Sequence, residues 1–488
     1  MESRFKKTKT LSFGQPTFKS HPEFFRSESD IIPGVTQEEF RQRRKSVVNL
    51  ATKVATKGEK TKDLHHMIII PASTKKYMSE NIPYPFRQNS NFFYLSGSYD
   101  NDAFILLISS PNEQRHIMFL GDPDPVGDLW DGPKTSPKAA VDYFGFDEAF
   151  LTSEFPIFLK HFHNPRRSVM VWCEDRSFVE KGIREPYSIG ISALENPRSI
   201  LDTLRVLKSP GEIDLMKKSS QIASEAFQQA MVYCGENSQV NEHQIWAKID
   251  YECRVRGAER LAYPPVVASG SRANVIHYVF NANKCKRDEM VLVDAGCEFF
   301  GYCSDITRTW PVSGKFDNDL HRSLYQMMLE LQCDIIKQVR PGITLDQLFQ
   351  AMGVQLIKGL QDLGIISQSL DVKSTSAVAL RFCPHHVSHY LGMDVHDTPT
   401  IERNESLLPG MIITVEPGVY IRTASNQKEF LTKVGREFEG IAIRIEDDVL
   451  VTDDGSCILT AECPKTIADI ELWSGKGLLK ANASQIPM

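Results

Sequence analysis

Four carboxylates stand at or beside the ends of apolar runs in the second half of this 488-residue chain, and they constrain its fold more than any other feature. Asp294 closes Met290-Val291-Leu292-Val293, and Glu416 closes Met411-Ile412-Ile413-Thr414-Val415. Glu446 closes Ile441-Ala442-Ile443-Arg444-Ile445, and Asp305 leads into Ile306-Thr307-Arg308-Thr309. Buried strands rarely carry carboxylates unless something positive neutralises them. With His389 in a histidine-rich segment nearby, the pattern predicts one cation site built from Asp294, Asp305, His389, Glu416 and Glu446.

The ligand types indicate the chemistry. Four carboxylates and an imidazole without a thiolate form a hard, oxygen-rich set suited to Mn²⁺, Co²⁺, Fe²⁺ or catalytic Zn²⁺. Their combined charge exceeds that of one divalent ion, and they suffice to bridge two ions roughly 3.5–4 Å apart. A water held between such ions loses a proton near neutral pH and attacks a polarised carbonyl. Asp294 and Asp305 flank Gly296 and Gly301, which predicts neighbouring antiparallel strands joined by a turn. Strand alternation puts Arg444 on the same face as Glu446, beside the ligands, where a guanidinium would partner a ligand carboxylate.

Each residue also has a plainer reading. A lone Asp at a strand end is usually a turn residue, and His277, among apolar neighbours in Val275-Ile276-His277-Tyr278-Val279, would serve as a core histidine. His385 and His389 have the i, i+4 spacing of a helical zinc site, but Pro384 ahead and Gly392 behind predict an irregular segment instead. Arg444 would serve equally as a structural ion-pair partner.

Together, Val293-Asp294-Ala295-Gly296, Ser304-Asp305-Ile306-Thr307-Arg308, His385-His386-Val387-Ser388-His389-Tyr390-Leu391-Gly392, Val415-Glu416-Pro417-Gly418 and Arg444-Ile445-Glu446-Asp447-Asp448 resemble the M24 metallopeptidases. Tyr84-Pro85-Phe86-Arg87-Gln88-Asn89-Ser90-Asn91-Phe92-Phe93-Tyr94-Leu95-Ser96-Gly97 and the stretch His389 to Asp397 narrow the resemblance to the aminopeptidase P branch. It implies a "pita-bread" catalytic fold, all five metal ligands, Glu416 as general base, and two divalent ions with Mn²⁺ foremost. It further implies that His277, His385 and His396 orient the scissile carbonyl and stabilise the oxyanion, as imidazole donors commonly do. Catalytic candidates are therefore Glu416, His277, His385, His396 and Arg444; substrate-binding candidates are His277, Tyr278, His385 and His396. His386 departs from the small residue common at that position, which predicts a reshaped substrate pocket. The implied reaction is release of the residue preceding proline from peptide or protein N-termini, by a homodimer or larger homo-oligomer. A prolidase-type dipeptidase and a metal-free peptide-binding module are the alternatives; the latter conflicts with an intact ligand set.

Domain organisation follows the hydrophobic pattern. An α/β N-terminal domain is expected over 36–204, with a helix from Thr36 to about Lys57 and strands at Met67–Ile70, Ala103–Ile108, Ile117–Leu120 and Val169–Trp172. An α+β catalytic domain is expected over 205–470. It opens at Ser209-Pro210-Gly211-Glu212, a capping box with proline at the first helical position. Residues 471–488, with Gly475 and Gly477, read as a loose tail, and Trp130 in Asp128-Leu129-Trp130-Asp131-Gly132 reads as a buried structural tryptophan. In residues 1–35, the first 22 carry Arg4, Lys6, Lys7, Lys9 and Lys19 against Glu2 alone. That composition resembles a mitochondrial presequence and predicts a mitochondrial protein, the cytoplasm being the alternative. A net charge of −6 argues against nucleic acid as main partner, and no apolar run approaches the ~20 residues needed to span a bilayer. Ten cysteines without C-x-x-C pairing predict reduced thiols.

Overall fold

The computed structural model describes residues 14–56, 64–110, 113–124, 126–162, 168–184, 191–237, 239–369, 375–422 and 426–484. Most of the basic N-terminal stretch, residues 1–13, lies outside them. The chain divides into two compact units between Leu204 and Arg205.

The first unit is built on a six-stranded mixed sheet in the order Ile191–Glu195, Ser168–Trp172, Leu64–Pro71, Phe104–Ser110, Glu113–Leu120, Glu148–Leu151. Apolar runs such as Met67 to Ile70 fill its centre because strands covered on both faces must be continuously hydrophobic. The helix Gln37–Thr56 matches the amphipathic pattern that predicts it. Trp130 departs from expectation: it is 81% exposed on the short helix Gly127–Asp131, beside the equally exposed Leu129. Five residues make one helical turn, too little surface to bury both side chains.

The second unit opens with the helix Pro210–Glu236, capped by Ser209 as the sequence predicts. Ser209 Oγ accepts from Glu212 N at 3.3 Å, and Glu212 Oε2 accepts from Ser209 N at 2.9 Å. The other Glu212 oxygen accepts from Tyr302 OH at 2.7 Å, and Ser219 Oγ donates to Cys297 O at 2.7 Å. One cap thus fixes both the helix start and the hairpin packed on it.

That hairpin, Cys297–Phe299 with Tyr302–Cys303, separates the strands carrying the two aspartates. Val266–Ser269, Met290–Ala295 and Ile306–Pro311 form an antiparallel sheet with Asp294 opposite Thr307, and Asp305 lies one residue before the third strand. The connection is therefore a hairpin excursion rather than one turn. Phe300 (φ 47°) and Gly301 (φ 78°) close it in left-handed conformation. Gly296 is forced for a different reason: a Cβ there would meet Ser304 O at 1.7 Å. A second antiparallel sheet joins Ile412–Val415, Asp447–Val451 and Ser456–Ile458, and Gly418–Tyr420 pairs with Ala442–Arg444.

Residues 471–484 correct the loose-tail expectation, while 485–488 lie outside the described residues. Ile467–Ser484 is one helix packed along Pro210–Glu236, with Ile470 and Ser474 fully buried. Tertiary packing outweighs the roughly 1 kcal/mol helix penalty of each glycine. Gly296→Ala is expected to cost about 3 kcal/mol or more of stability and to weaken metal binding, because the clash is with backbone. Urea denaturation beside wild type measures the first effect, and metal titration the second.

Candidate metal centre

Four segments deliver carboxylates to one point, and His389 arrives from the irregular stretch after Pro384. Asp305, His389 and Glu446 each place a ligand atom within 4.8 Å of the others. His389 Nε2 lies 3.5 Å from Asp305 Oδ2 and 3.4 Å from Glu416 Oε1. Asp294 joins through shared donors: Tyr263 OH donates to Asp294 Oδ1 at 2.6 Å and also hydrogen-bonds Asp305 Oδ1. Arg444 Nη2 pairs with Asp294 Oδ2, while its Nε donates to Thr307 Oγ1 at 3.0 Å. Thr307 Oγ1 in turn donates to Glu446 Oε2 at 2.6 Å. Arg444 therefore reaches the centre as a carboxylate partner, although Glu446 sits in the break between strands rather than on a continuous one.

The electrostatics are those of a crowded, largely buried acidic cluster. Burial, reinforced by the neighbouring acids, pushes Glu446 well above the usual carboxylate range. Burial also raises Asp294 against the pull of Arg444, and raises Glu416 to about 7 despite His389. His389 moves the other way: burial opposes its charge, but Asp305 and Glu416 lift it to about 9. His385 is pushed down to about 3 by burial and then by Arg444, so it is neutral. Protons thus occupy the places that divalent cations would neutralise, and the oxygen-rich donor set fits such ions.

Around this point lies a cavity of about 1220 Å³. It is lined by His277, His385, His389, His396, Glu416 and Arg444, with Val266, Ile276, Val279, Pro399 and Ile401 supplying apolar wall. His385 Nε2 is 2.9 Å from Tyr420 OH, and its Nδ1 is 3.6 Å from Glu416 Oε2. His389 and His396 meet edge-on, with ring centroids 4.6 Å apart. His386 also lines the cavity, stacked on Phe349 at 4.6 Å.

The description of metallopeptidase family M24 matches residues 214–453, and that of the aminopeptidase P N-terminal domain matches residues 40–172. The chain is 39% identical over 472 residues to Xaa-Pro aminopeptidase 3 of Homo sapiens, covering 94% of this chain and 90% of the relative. The chain belongs to the M24 metallopeptidase family, in its aminopeptidase P branch. It is also 35% identical over 466 residues to the mitochondrial intermediate cleaving peptidase 55 of Arabidopsis thaliana, covering 94% of this chain and 87% of that protein. Aminopeptidase P of Escherichia coli with the inhibitor Pro-Leu superimposes with a TM-score of 0.78 at 28% identity, covering 92% of this chain and 99% of that one. The M24 fold expected from the motifs, an α/β domain before a pita-bread domain, is thus established, as is a metallo-aminopeptidase dependent on divalent metal.

Within this metallopeptidase, Tyr278 departs from its expected place at the substrate. It is not among the cavity-lining residues; its hydroxyl donates to buried Glu242 Oε2 at 2.9 Å and accepts from Asn283 Nδ2 at 2.6 Å. Residues 275–280 form a turn and an irregular stretch rather than a strand. Motif reading also passed over Tyr263, Tyr420, Thr307 and Asp448. Asp448 accepts from Asp305 N at 3.2 Å and from Ser220 Oγ at 3.0 Å, and its carboxyl is raised by burial and by Asp305. Of these only Asp448 had a local signal, a third acid in Glu446-Asp447-Asp448.

Because protonated ligands compete with metal, Mn²⁺ affinity is expected to fall steeply as pH drops from 8 to 6, through the Glu416 value. Calorimetry in buffers of differing ionisation enthalpy should record proton release on binding; a pH-independent affinity without release contradicts the cluster described.

Proposed function

We propose that this metallopeptidase removes the first residue from peptides whose second residue is proline. The observation that carries the reading is that the carboxylate cluster, Glu416 and three non-ligand histidines open into one cavity of a chain similar to Xaa-Pro aminopeptidases. Asp294, Asp305, His389, Glu416 and Glu446 would hold two divalent cations, Mn²⁺ foremost, with Co²⁺, Zn²⁺ or Fe²⁺ as substitutes. Bound there, such ions acidify water and polarise a carbonyl.

The chain's own groups then divide the work. Glu416, raised to about 7, takes the proton of the attacking water and later delivers it to the departing proline nitrogen as the C–N bond breaks. His277 and His396 face the cavity as donors to the scissile carbonyl and its developing oxyanion. Neutral His385, linked to Tyr420 and through it to Arg444, orients Glu416 and the substrate. Proline makes a tertiary amide without an N–H. The site therefore recognises it by shape, for which the apolar wall from Ile276 and Val279 to Pro399 and Ile401 is suited.

The likeness to a mitochondrial intermediate cleaving peptidase supports trimming of processed proteins in mitochondria as the setting. A homodimer or larger assembly completes the proposal. Release of the first residue from an Xaa-Pro-Yaa tripeptide, by protein stripped of metal and re-supplied with Mn²⁺, Co²⁺ or Zn²⁺, tests the reading. Cleavage should return with metal and fall at least about 100-fold in Glu416→Ala and Asp305→Ala. Folded, metal-loaded protein that leaves the tripeptide intact overturns the reading in favour of a binding module, and cleavage of Xaa-Pro dipeptides alone would make it prolidase-like.

A further inference from the structure

Behind the cavity wall lies a buried ion-pair network that the chemistry above does not use. Arg205 ends the helix Arg198–Arg205, and Lys208 follows three residues later; their side chains are 5% and 1% exposed. Arg205 Nη2 donates to Asp397 Oδ1 at 2.5 Å and also to Asp394 Oδ2 at 2.8 Å. Lys208 Nζ donates to Asp397 Oδ2 at 3.4 Å and to Val206 O at 3.3 Å. Asp397 is 1% exposed, and Asp394, 37% exposed, faces the cavity.

The arrangement brackets one residue. Asp394 and Asp397 stand two positions before and one after His396, and a single guanidinium nitrogen holds both. Backbone contacts secure the loop elsewhere: Asp397 N donates to Tyr390 O at 3.0 Å, and Cys303 N donates to Gly392 O at 2.8 Å. Gly392 gives the network its room, since a Cβ there would meet Asp397 Oδ2 at 2.2 Å. Immediately after Asp397, Thr398 is buried with φ 45°, a conformation that costs a β-branched residue about 1–3 kcal/mol and persists only where its surroundings impose it.

Burying two cations against Asp397 and the part-exposed Asp394 adds little as stabilisation alone, because desolvation cancels most of the attraction. What such a cluster supplies is direction. We infer that Arg205 and Lys208 are positioning residues: through Asp394 and Asp397 they set the loop that presents the His396 ring edge-on to His389 and toward the scissile carbonyl. This rests on the reading of His396 as a group acting on the substrate.

The test is a double-mutant cycle on Xaa-Pro-Yaa cleavage by the metal-loaded protein. Arg205→Lys keeps the charge but cannot hold both carboxylates with one planar group. It should lower kcat about 10–100-fold, the scale of a small misplacement, with KM changed less than about threefold and bound metal unchanged. In a His396→Ala background the same substitution should cost less than about threefold further, because the group it positions is gone. Asp394→Asn, which breaks only the exposed arm, should show the same non-additivity and replaces Arg205→Lys if that variant does not fold. Unchanged kcat, loss of bound metal, or an undiminished effect in the His396→Ala background overturns the inference. Inactivity of the wild type with every metal would instead count against the peptidase reading.

Discussion

Mutual repulsion among buried carboxylates is the constraint to which the second half of this protein answers. Asp294, Asp305, Glu416 and Glu446 share a site with one guanidinium, Arg444, and one imidazole, His389, as their cationic partners. Those two cations leave an uncompensated negative charge, which is costly for groups removed from water. Burial raises Asp294, Glu416 and Glu446, and the facing acids raise His389; divalent cations held by such groups would displace those protons.

The surrounding structure keeps these groups from relaxing apart. Arg308, fully buried, donates to Glu446 O and, at 2.7 Å, to Asp447 Oδ1; Lys465 closes on Asp447 Oδ2 at 2.6 Å. These contacts hold Asp447 well below the usual carboxylate range, so it stays charged while Glu446, one residue earlier, is driven toward neutrality. Ser220 on the long helix and the Asp305 backbone N–H both serve Asp448. Helix, hairpin and strand ends are thereby joined to the ligands by hydrogen bonds that a shift of one residue would break.

Much of this was legible in the sequence wherever a local pattern carries a physical penalty. Carboxylates closing apolar runs are costly unless compensated, so Asp294, Glu416 and Glu446 identified themselves, and Ser209-Pro210-Gly211-Glu212 announced its helix. What was hidden depends on contacts between distant segments. Tyr263 bridges two aspartates from a loop whose Pro264-Pro265 marks a turn but not a partner. Tyr278, a substrate-binding candidate beside His277 in sequence, is tied instead to Glu242, far from it in the chain. The C-terminal glycines and Trp130 misled for one reason: local propensity says nothing about whether a partner surface is present, and the last helix has one whereas Trp130 has none within its short helix.

The central claim is that these five residues together hold two divalent cations. X-ray diffraction from crystals grown with Mn²⁺, recorded at and below the manganese edge, tests it most directly. The account requires two anomalous peaks, both within coordinating distance of carboxylate oxygens from Asp294, Asp305, Glu416 and Glu446, and one of them on His389. A single peak, or manganese bound elsewhere with the cluster still protonated, would contradict it.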